Sequence, residues 1–408
     1  MSAGLGAALV LAATRGAAQE RLIERRSLGV GGSYDAVSFR GDGLYQAAFA
    51  DLDSARITSL SQATTPIAVA TALGGGWRLD VTALYARGKV TYRDAATNGS
   101  EQTATLAGMS DVRFRATGRV ISDALTLTVG VNAPTGRTTL SSAQFSALKV
   151  LAAPALALGS TPVGSGPSGT VGLVLARQGG PWNLAFGASY EHRGKYQPIA
   201  ALTAGAPSTD FRPGGVVRAS IGAERTIGQH RLALAVATDV FAEDRLRGSI
   251  DPNASTPDAT LAAVRLGPVF TGDAQLQVAS QTLRDVIVYG SWLWRAAYSR
   301  DGVTTEGTSG TYLEAGTRAA YPILPRTDVV FGVGGRWHSG LGVDEGLTTT
   351  GVRSADVTLG LRAQRGVVSL QPFVRAQGGS LRAKSAIDPD RLQSFGGLTT
   401  GLVLQTRF

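Results

Sequence analysis

The chain has 408 residues, 53 of them glycine, with no cysteine and a formal net charge of +9. Lack of cysteine rules out a disulfide-stapled framework. The arginines are scattered singly rather than in runs, which argues against an extended nucleic-acid-binding face. No stretch approaches the roughly 20 apolar residues of a membrane helix; the longest candidate, residues 146–160, is interrupted by Lys149 and Pro154.

Residues 1–18 read as an export signal. An apolar run from Leu5 to Ala13 is followed by Gly16 and Ala18, small residues suited to cleavage at Ala18–Gln19, although no Lys or Arg precedes the run. Residues 19–408 then form one domain. From about Ser27 onward, stretches with period-two alternation recur, and none carries a convincing amphipathic helical period. Short, turn-rich links fall at 74–77, 121–124, 179–182, 226–229, 282–285, 324–327 and 365–366. Longer polar links fall between them, at 41–56, 93–109, 134–169, 195–212, 243–267, 300–310, 340–352 and 379–393. Strict alternation of short and long links describes an up-and-down antiparallel sheet whose two rims differ. Transmembrane β-barrels of bacterial outer membranes have short periplasmic turns and long extracellular loops. The expectation is an all-β closed barrel of 16 strands, or 14 if the two least regular strands at the start are not part of the wall.

Neighbouring strand residues point to opposite faces. Leu184, Phe186, Ala188 and Tyr190 oppose Gly187, Ser189, Glu191 and Arg193. Val112, Phe114 and Ala116 oppose Asp111, Arg113, Arg115, Thr117 and Arg119. Val357, Leu359 and Leu361 oppose Asp356, Thr358 and Arg362. The aromatic residues predict two belts on the apolar parity. Trp77, Trp182, Tyr321 and Phe408 stand beside short turns or the last residue, and Tyr85, Tyr190, Trp294, Tyr298 and Trp337 stand nearer the long links. A soluble sandwich or propeller would also alternate, but needs neither two unequal rims nor two belts, and the sequence has no propeller repeat.

A barrel of this size encloses a channel rather than a packed core. The charged parity predicts a lining of Arg78, Arg113, Arg115, Arg119, Arg218, Arg318, Arg336, Arg362 and Arg375, with Asp111 and Glu314 among the acids. Rings of arginine favour anions in a pore; the plainer reading is cross-strand ion pairs that stiffen the wall. Segment 134–169 is long and apolar for an exposed loop. It is expected to fold inward or cap the mouth and narrow the channel, the other reading being a surface hairpin or helix against lipid or a neighbouring subunit. Only about ten residues separate the cleavage point from the first strand, too few for an N-terminal plug. His338 and Ser339 are adjacent and so point to opposite faces, and His192 has the apolar parity. No catalytic residue, cofactor-binding residue or metal ligand is predicted.

One stretch, 108–139, carries a family likeness through Gly108, Asp111 and Pro134-Thr135-Gly136: a Gly-x-x-Asp strand start, a short turn, then a strand ending in Pro-Thr-Gly. It resembles the outer-membrane proteins encoded with phenol meta-degradation pathways, distant relatives by architecture of FadL-type hydrophobic-compound transporters. That resemblance implies passive uptake of small organic, often aromatic, compounds. FadL-type proteins carry an N-terminal plug for which this chain has no room, and their conduit is less charged. The sequence thus predicts a porin-like channel for small organic, anionic or aromatic solutes. The alternative is a non-transport barrel with a loop-filled lumen, acting as scaffold or adhesin. Expected partners are outer-membrane lipid and lipopolysaccharide, the barrel-assembly machinery through the C-terminal strand, and the solute; nucleic acid is not among them.

Overall fold

The computed structural model describes residues 27–40, 44–46, 55–93, 99–121, 124–152, 156, 158, 163–197, 210–247, 260–339, 349–383 and 391–407. The export signal and Phe408 lie outside these residues. Sixteen wall strands follow one another around a closed antiparallel barrel. They are β1 (Ser27–Phe39, continued by Leu44–Gln46), β2 (Ala55–Gly74), β3 (Trp77–Arg93) and β4 (Glu101–Met109 and Val112–Ile121, joined through Ser110). Next come β5 (Leu125–Ala133), β6 (Ser168–Gly179), β7 (Trp182–Arg193), β8 (Val216–Ile227), β9 (His230–Phe241) and β10 (Val269–Val278). The wall is completed by β11 (Arg284–Arg295), β12 (Gly310–Leu324), β13 (Thr327–Ser339), β14 (Thr349–Arg365), β15 (Val368–Ala383) and β16 (Arg391–Arg407). Closure comes from β1 against β16, with Ser33 opposite Gly401 and Phe39 opposite Phe395. Both first strands belong to the wall, so the count is sixteen.

Closure follows from the solvent outside. Backbone groups facing lipid find no water to bond, so a spanning sheet must leave no edge. In the two-residue hairpins at 228–229 and 366–367, Gly228 (φ 60°) and Gly366 (φ 59°) supply the left-handed backbone that such a turn demands. Outside, Val357 is 58% exposed, Leu359 59% and Leu402 45%. They belong to a continuous apolar band far larger than a soluble monomer shows. The described residues form a transmembrane barrel of outer-membrane type.

The wall is not uniform in height. β2, β3, β14, β15 and β16 run 16 to 20 residues, whereas β5 to β11 run 9 to 12. We call β14–β16 with β1–β4 the tall wall and β5–β11 the short wall. The link expected at 93–109 is part of this difference. Residues 101–109 pair with 85–93, and their lumen side is covered by apolar side chains, so the ladder continues instead of opening into a loop. Above the short wall sits a separate five-stranded rim sheet of residues 210–212, 244–247, 260–265, 299–300 and 303–304. Among the described residues one α-helix interrupts the all-β pattern: α1 (Ser142–Leu151), inside the 134–169 segment.

Candidate functional site: the lumen and its inserted segment

The inserted segment begins at a single carboxylate. Asp111, on the lumen face at the break in β4, accepts hydrogen bonds from the backbone N–H groups of Gly136 (2.9 Å) and Ser165 (2.6 Å). It also accepts from Ser165 Oγ (3.2 Å) and Asn132 Nδ2 (3.1 Å). Both ends of the segment are therefore held by one side chain, and Asn132 adds a bond to the carbonyl of Gly166. Thr135 Oγ1 accepts from the Val112 N–H and donates to the Ser110 carbonyl. Gly136 and Gly164 pass so closely that a Cβ on Gly136 would stand 2.7 Å from Gly164 Cα. Asp111 was expected to line the open pore and pair with arginine. It is 4% exposed and clamps backbone instead, because the neck of the segment covers it.

Within the segment, Ser141 caps α1 by accepting from the Gln144 N–H while Gln144 reaches back to the Ser141 N–H. That capping box satisfies two donors at a helix start inside the barrel. Ala147, Leu148, Val150, Leu151 and Leu156 are buried with the lumen-side residues Val37, Phe39, Leu60, Val90, Leu106, Val352, Leu381 and Phe395. All these wall residues lie at the outer ends of tall-wall strands. Gly88 gives α1 its seat, since a Cβ there would collide with the Leu151 side chain. Gln377 Nε2 donates to the Leu156 carbonyl (3.3 Å). Each fully buried leucine contributes about 1.5–3 kcal/mol, so Leu148, Leu151 and Leu156 together hold the segment by several kcal/mol. The described part of segment 134–169 folds inward onto one wall.

Most lumen arginines face carboxylates. Arg218 pairs with Asp239 (2.8 Å), Arg231 with Glu224, and Arg78 with Asp80 (2.7 Å). Arg336 bridges Asp356 (2.8 Å) and Glu314 (3.6 Å), and Arg362 bridges Asp285 (2.6 Å) and Asp328 (2.7 Å). Arg375 reaches Asp35 (3.4 Å), whose Oδ1 also accepts from Thr399 Oγ1 (2.7 Å). Arg113, Arg115 and Arg119 form an exposed column on β4 beneath the clamp, and Arg115 stands opposite Asp80 of β3. Arg318 is exposed opposite, next to Tyr289. On the short wall, lumen-parity Val174, Ala176, Gln178 and Ala235 are open to solvent. Tyr289 and Tyr312 enrich the lumen beyond the sequence-derived lining, and Tyr312 donates to Glu314 (2.6 Å). Their parity, opposite to Trp292 and Leu313, could have revealed them.

On the outside, Tyr85, Tyr190, Trp337 and Tyr321 are exposed on the apolar face, and Trp294 stacks near Phe270 (5.5 Å). Trp182 lies under the Arg225 guanidinium (5.6 Å), and Trp77 fills the space beside Gly118. Tyr298 does not join the outer belt. It is 7% exposed in a cluster with Phe241, Val264, Leu266 and Val269, because the rim sheet folds over it. Tyr34 and Trp292 face outward and were missed.

At the foot of the rim sheet, Asp244 accepts from Arg193 (2.9 Å) and from the Gly214 N–H (2.7 Å). Burial pushes its pKa up to about 6 against the opposing pull of Arg193 and the Gly214 N–H. Burial, with Asp244 nearby, also raises the Tyr196 phenol. Among the described residues no group of three or more His, Asp or Glu side chains is placed to hold a metal ion.

No protein-family model matches the chain, and no curated protein matches it. Among solved structures it is similar to OprB of Pseudomonas putida, at 11% identity and a TM-score of 0.43, over 96% of this chain and 97% of that one. It is similar to OccK11 (OpdR) of Pseudomonas aeruginosa, at 10% identity and TM-score 0.41, over 93% and 95%. It is also similar to the COG4313 outer membrane channel of Pseudomonas putida F1, at 10% identity and TM-score 0.33, over 93% and 96%. Likeness this slight bears on neither solute nor mechanism.

Proposed function

We propose that the chain is a passive outer-membrane channel for small organic solutes, with a mild preference for anions. The observation that carries this reading is the one-sided seating of segment 134–169. It covers the outer lumen face of the tall wall and leaves the short wall's lumen residues in solvent. Solutes would pass between α1 and the short wall, beside the Arg113–Arg115–Arg119 column. Arg113 on β4 and Arg318 on the facing β12 are both exposed to the lumen, and arginines lining a pore favour anions. The phenol-pathway likeness rests on Gly108, Asp111 and Pro134 to Gly136. Two of these residues, Asp111 and Gly136, bond to each other in the clamp, which supports a shared loop architecture rather than a shared solute. The scaffold reading draws on the same inserted segment, since a lumen partly filled by its own loop could serve no transport.

Reversal potential across a planar bilayer with a salt gradient separates the two. The channel reading expects discrete conductance with modest anion selectivity. Absence of conductance favours the scaffold, and cation selectivity removes the role assigned to the exposed lumen arginines.

A further inference from the structure

The outer surface of the tall wall carries a feature that the lumen does not explain. Arg87 and Lys89 on β3, Arg353 on β14 and Arg382 on β15 are all exposed on the lipid-facing parity. A strand tilted about 45° climbs roughly 2.4 Å per residue. Arg87 and Lys89 lie 10 and 12 residues beyond Trp77, hence about 24 and 29 Å above the short-turn rim. Arg353 lies 12 residues from the turn end of β14 and Arg382 lies 14 residues from that of β15, hence about 29 and 34 Å. The apolar band of such barrels is about 25 Å tall. All four charges therefore stand at or just above its outer edge, level with headgroups.

Their setting is one-sided. No ion pair engages any of the four among the described residues, and the single described acid on that surface, Glu101, stands opposite Arg93. Arg353 faces Ser380, two residues from Arg382, so these two cations sit diagonally adjacent. The short wall is different. The outer ends of its lipid-facing parity carry Tyr190, His192, Val217, Val240, Phe270 and Trp294, with no lysine or arginine. Basic groups in the rim structure above it meet carboxylates: Lys195 with Asp210, Arg245 with Glu243, Arg300 with Asp301.

We infer that this face binds the phosphate groups of outer-leaflet glycolipid, that is, phosphorylated glucosamine lipid of the lipopolysaccharide type. The charges are at the height of such phosphates. They project outward from a wall where acyl chains lie against the apolar band below. Two basic spots, Arg87–Lys89 and Arg353–Arg382, flank β16, β1 and β2 about 20 Å apart at the usual strand spacing. Each could hold a phosphate, and a cation near an anionic membrane surface strengthens binding about fivefold.

The test uses the full chain in non-ionic detergent and native mass spectrometry with bis-phosphorylated lipid A or its dephosphorylated form. The expected result is selective retention of the phosphorylated lipid, falling with added salt. In the fourfold R87Q/K89Q/R353Q/R382Q protein, retention should drop at least about tenfold while single-channel conductance is unchanged. Should that protein fail to fold, the R87Q/K89Q and R353Q/R382Q pairs are compared separately, each expected to lose part of the retention. Equal retention of both lipids by the unaltered chain, or undiminished retention in every folded variant, overturns the inference. Full displacement by equimolar inorganic pyrophosphate also overturns it, since the site would then be one for a free anion.

Discussion

The tall and short walls of this barrel solve the same problem in different ways. Both must carry polar backbone through lipid and end in an aqueous rim. On the tall wall the strands continue outward, and apolar residues line the lumen face at their ends. Val37, Val90, Leu106, Val352 and Leu381 point inward there and are covered by α1 and its flanks. On the short wall the strands stop early, and a separate sheet joined by Arg193 and Asp244 takes over. Burial thus holds the tall side and polar pairing holds the short side. The lesson is that a pore can be narrowed without a plug from elsewhere, provided one wall offers an apolar seat and the other does not.

The largest expected effect comes from removing what the tall wall holds. Deleting residues 138–162 and joining the clamp ends with a short glycine linker should raise single-channel conductance several-fold, because the deleted part occupies lumen on the conducting path. Unchanged conductance would show that the segment does not narrow the path. Next in size is Asp111→Ala. It leaves the Gly136 and Ser165 N–H groups without their acceptor, at a cost of about 1–3 kcal/mol each where buried. The segment should then fluctuate, seen as flickering current and faster cleavage by an added protease. A smaller effect is expected for Gly88→Val, which crowds Leu151 and should lower the melting temperature of the segment while the barrel itself stays folded.

The sequence told the two walls apart only partly. Alternating short and long links pointed to rim polarity and to sixteen strands, with fourteen left open, since tight hairpins have strong residue signatures such as Gly228 and Gly366. Parity separated lipid from lumen for most residues. What parity could not do was say which lumen residues are covered. Phe395 and Leu381 break the apolar/polar alternation at the outer ends of β16 and β15, and that break marked a covered lumen face. α1 was visible only as Ser141 and Gln144, a capping box three residues apart, because ten residues within an apolar stretch leave little helical period. Tyr298 was misplaced because the residues that cover it, Phe241 at the end of β9 and Val264 of the rim sheet, are distant in sequence. Asp111 looked like any lumen acid, since its partners Gly136 and Ser165 offer backbone, which carries no sequence signature.

Replacing Arg113 and Arg318 with glutamine should shift reversal potential toward neutrality with little change in conductance, because these side chains change potential more than width. Substituting the paired Arg218 should do less, since Asp239 already offsets its charge. The smallest effect concerns the short wall's rim. Asp244 holds its proton up to about pH 6, well above the ordinary value of 3.8. Between those values the folded protein carries a proton that the unfolded chain has lost. Stability from this group is thus full below the window and is lost as pH rises through 6. Thermal unfolding measured from pH 4 to 7.5 should show a decline of a few degrees across that rise, absent in Asp244→Asn. A pH-independent melting temperature would contradict the assignment.

Accessibility of single introduced cysteines is the most direct test of the two-wall account, because the native chain has none to interfere. Val174→Cys and Ala235→Cys, on the open lumen face, should react within minutes with a charged, water-soluble thiol reagent and reduce the current. Leu106→Cys and Val352→Cys, 0% and 2% exposed beneath the inserted segment, should stay unmodified until residues 138–162 are deleted. Equal labelling of the four positions in the intact protein would mean that the segment does not rest on the tall wall.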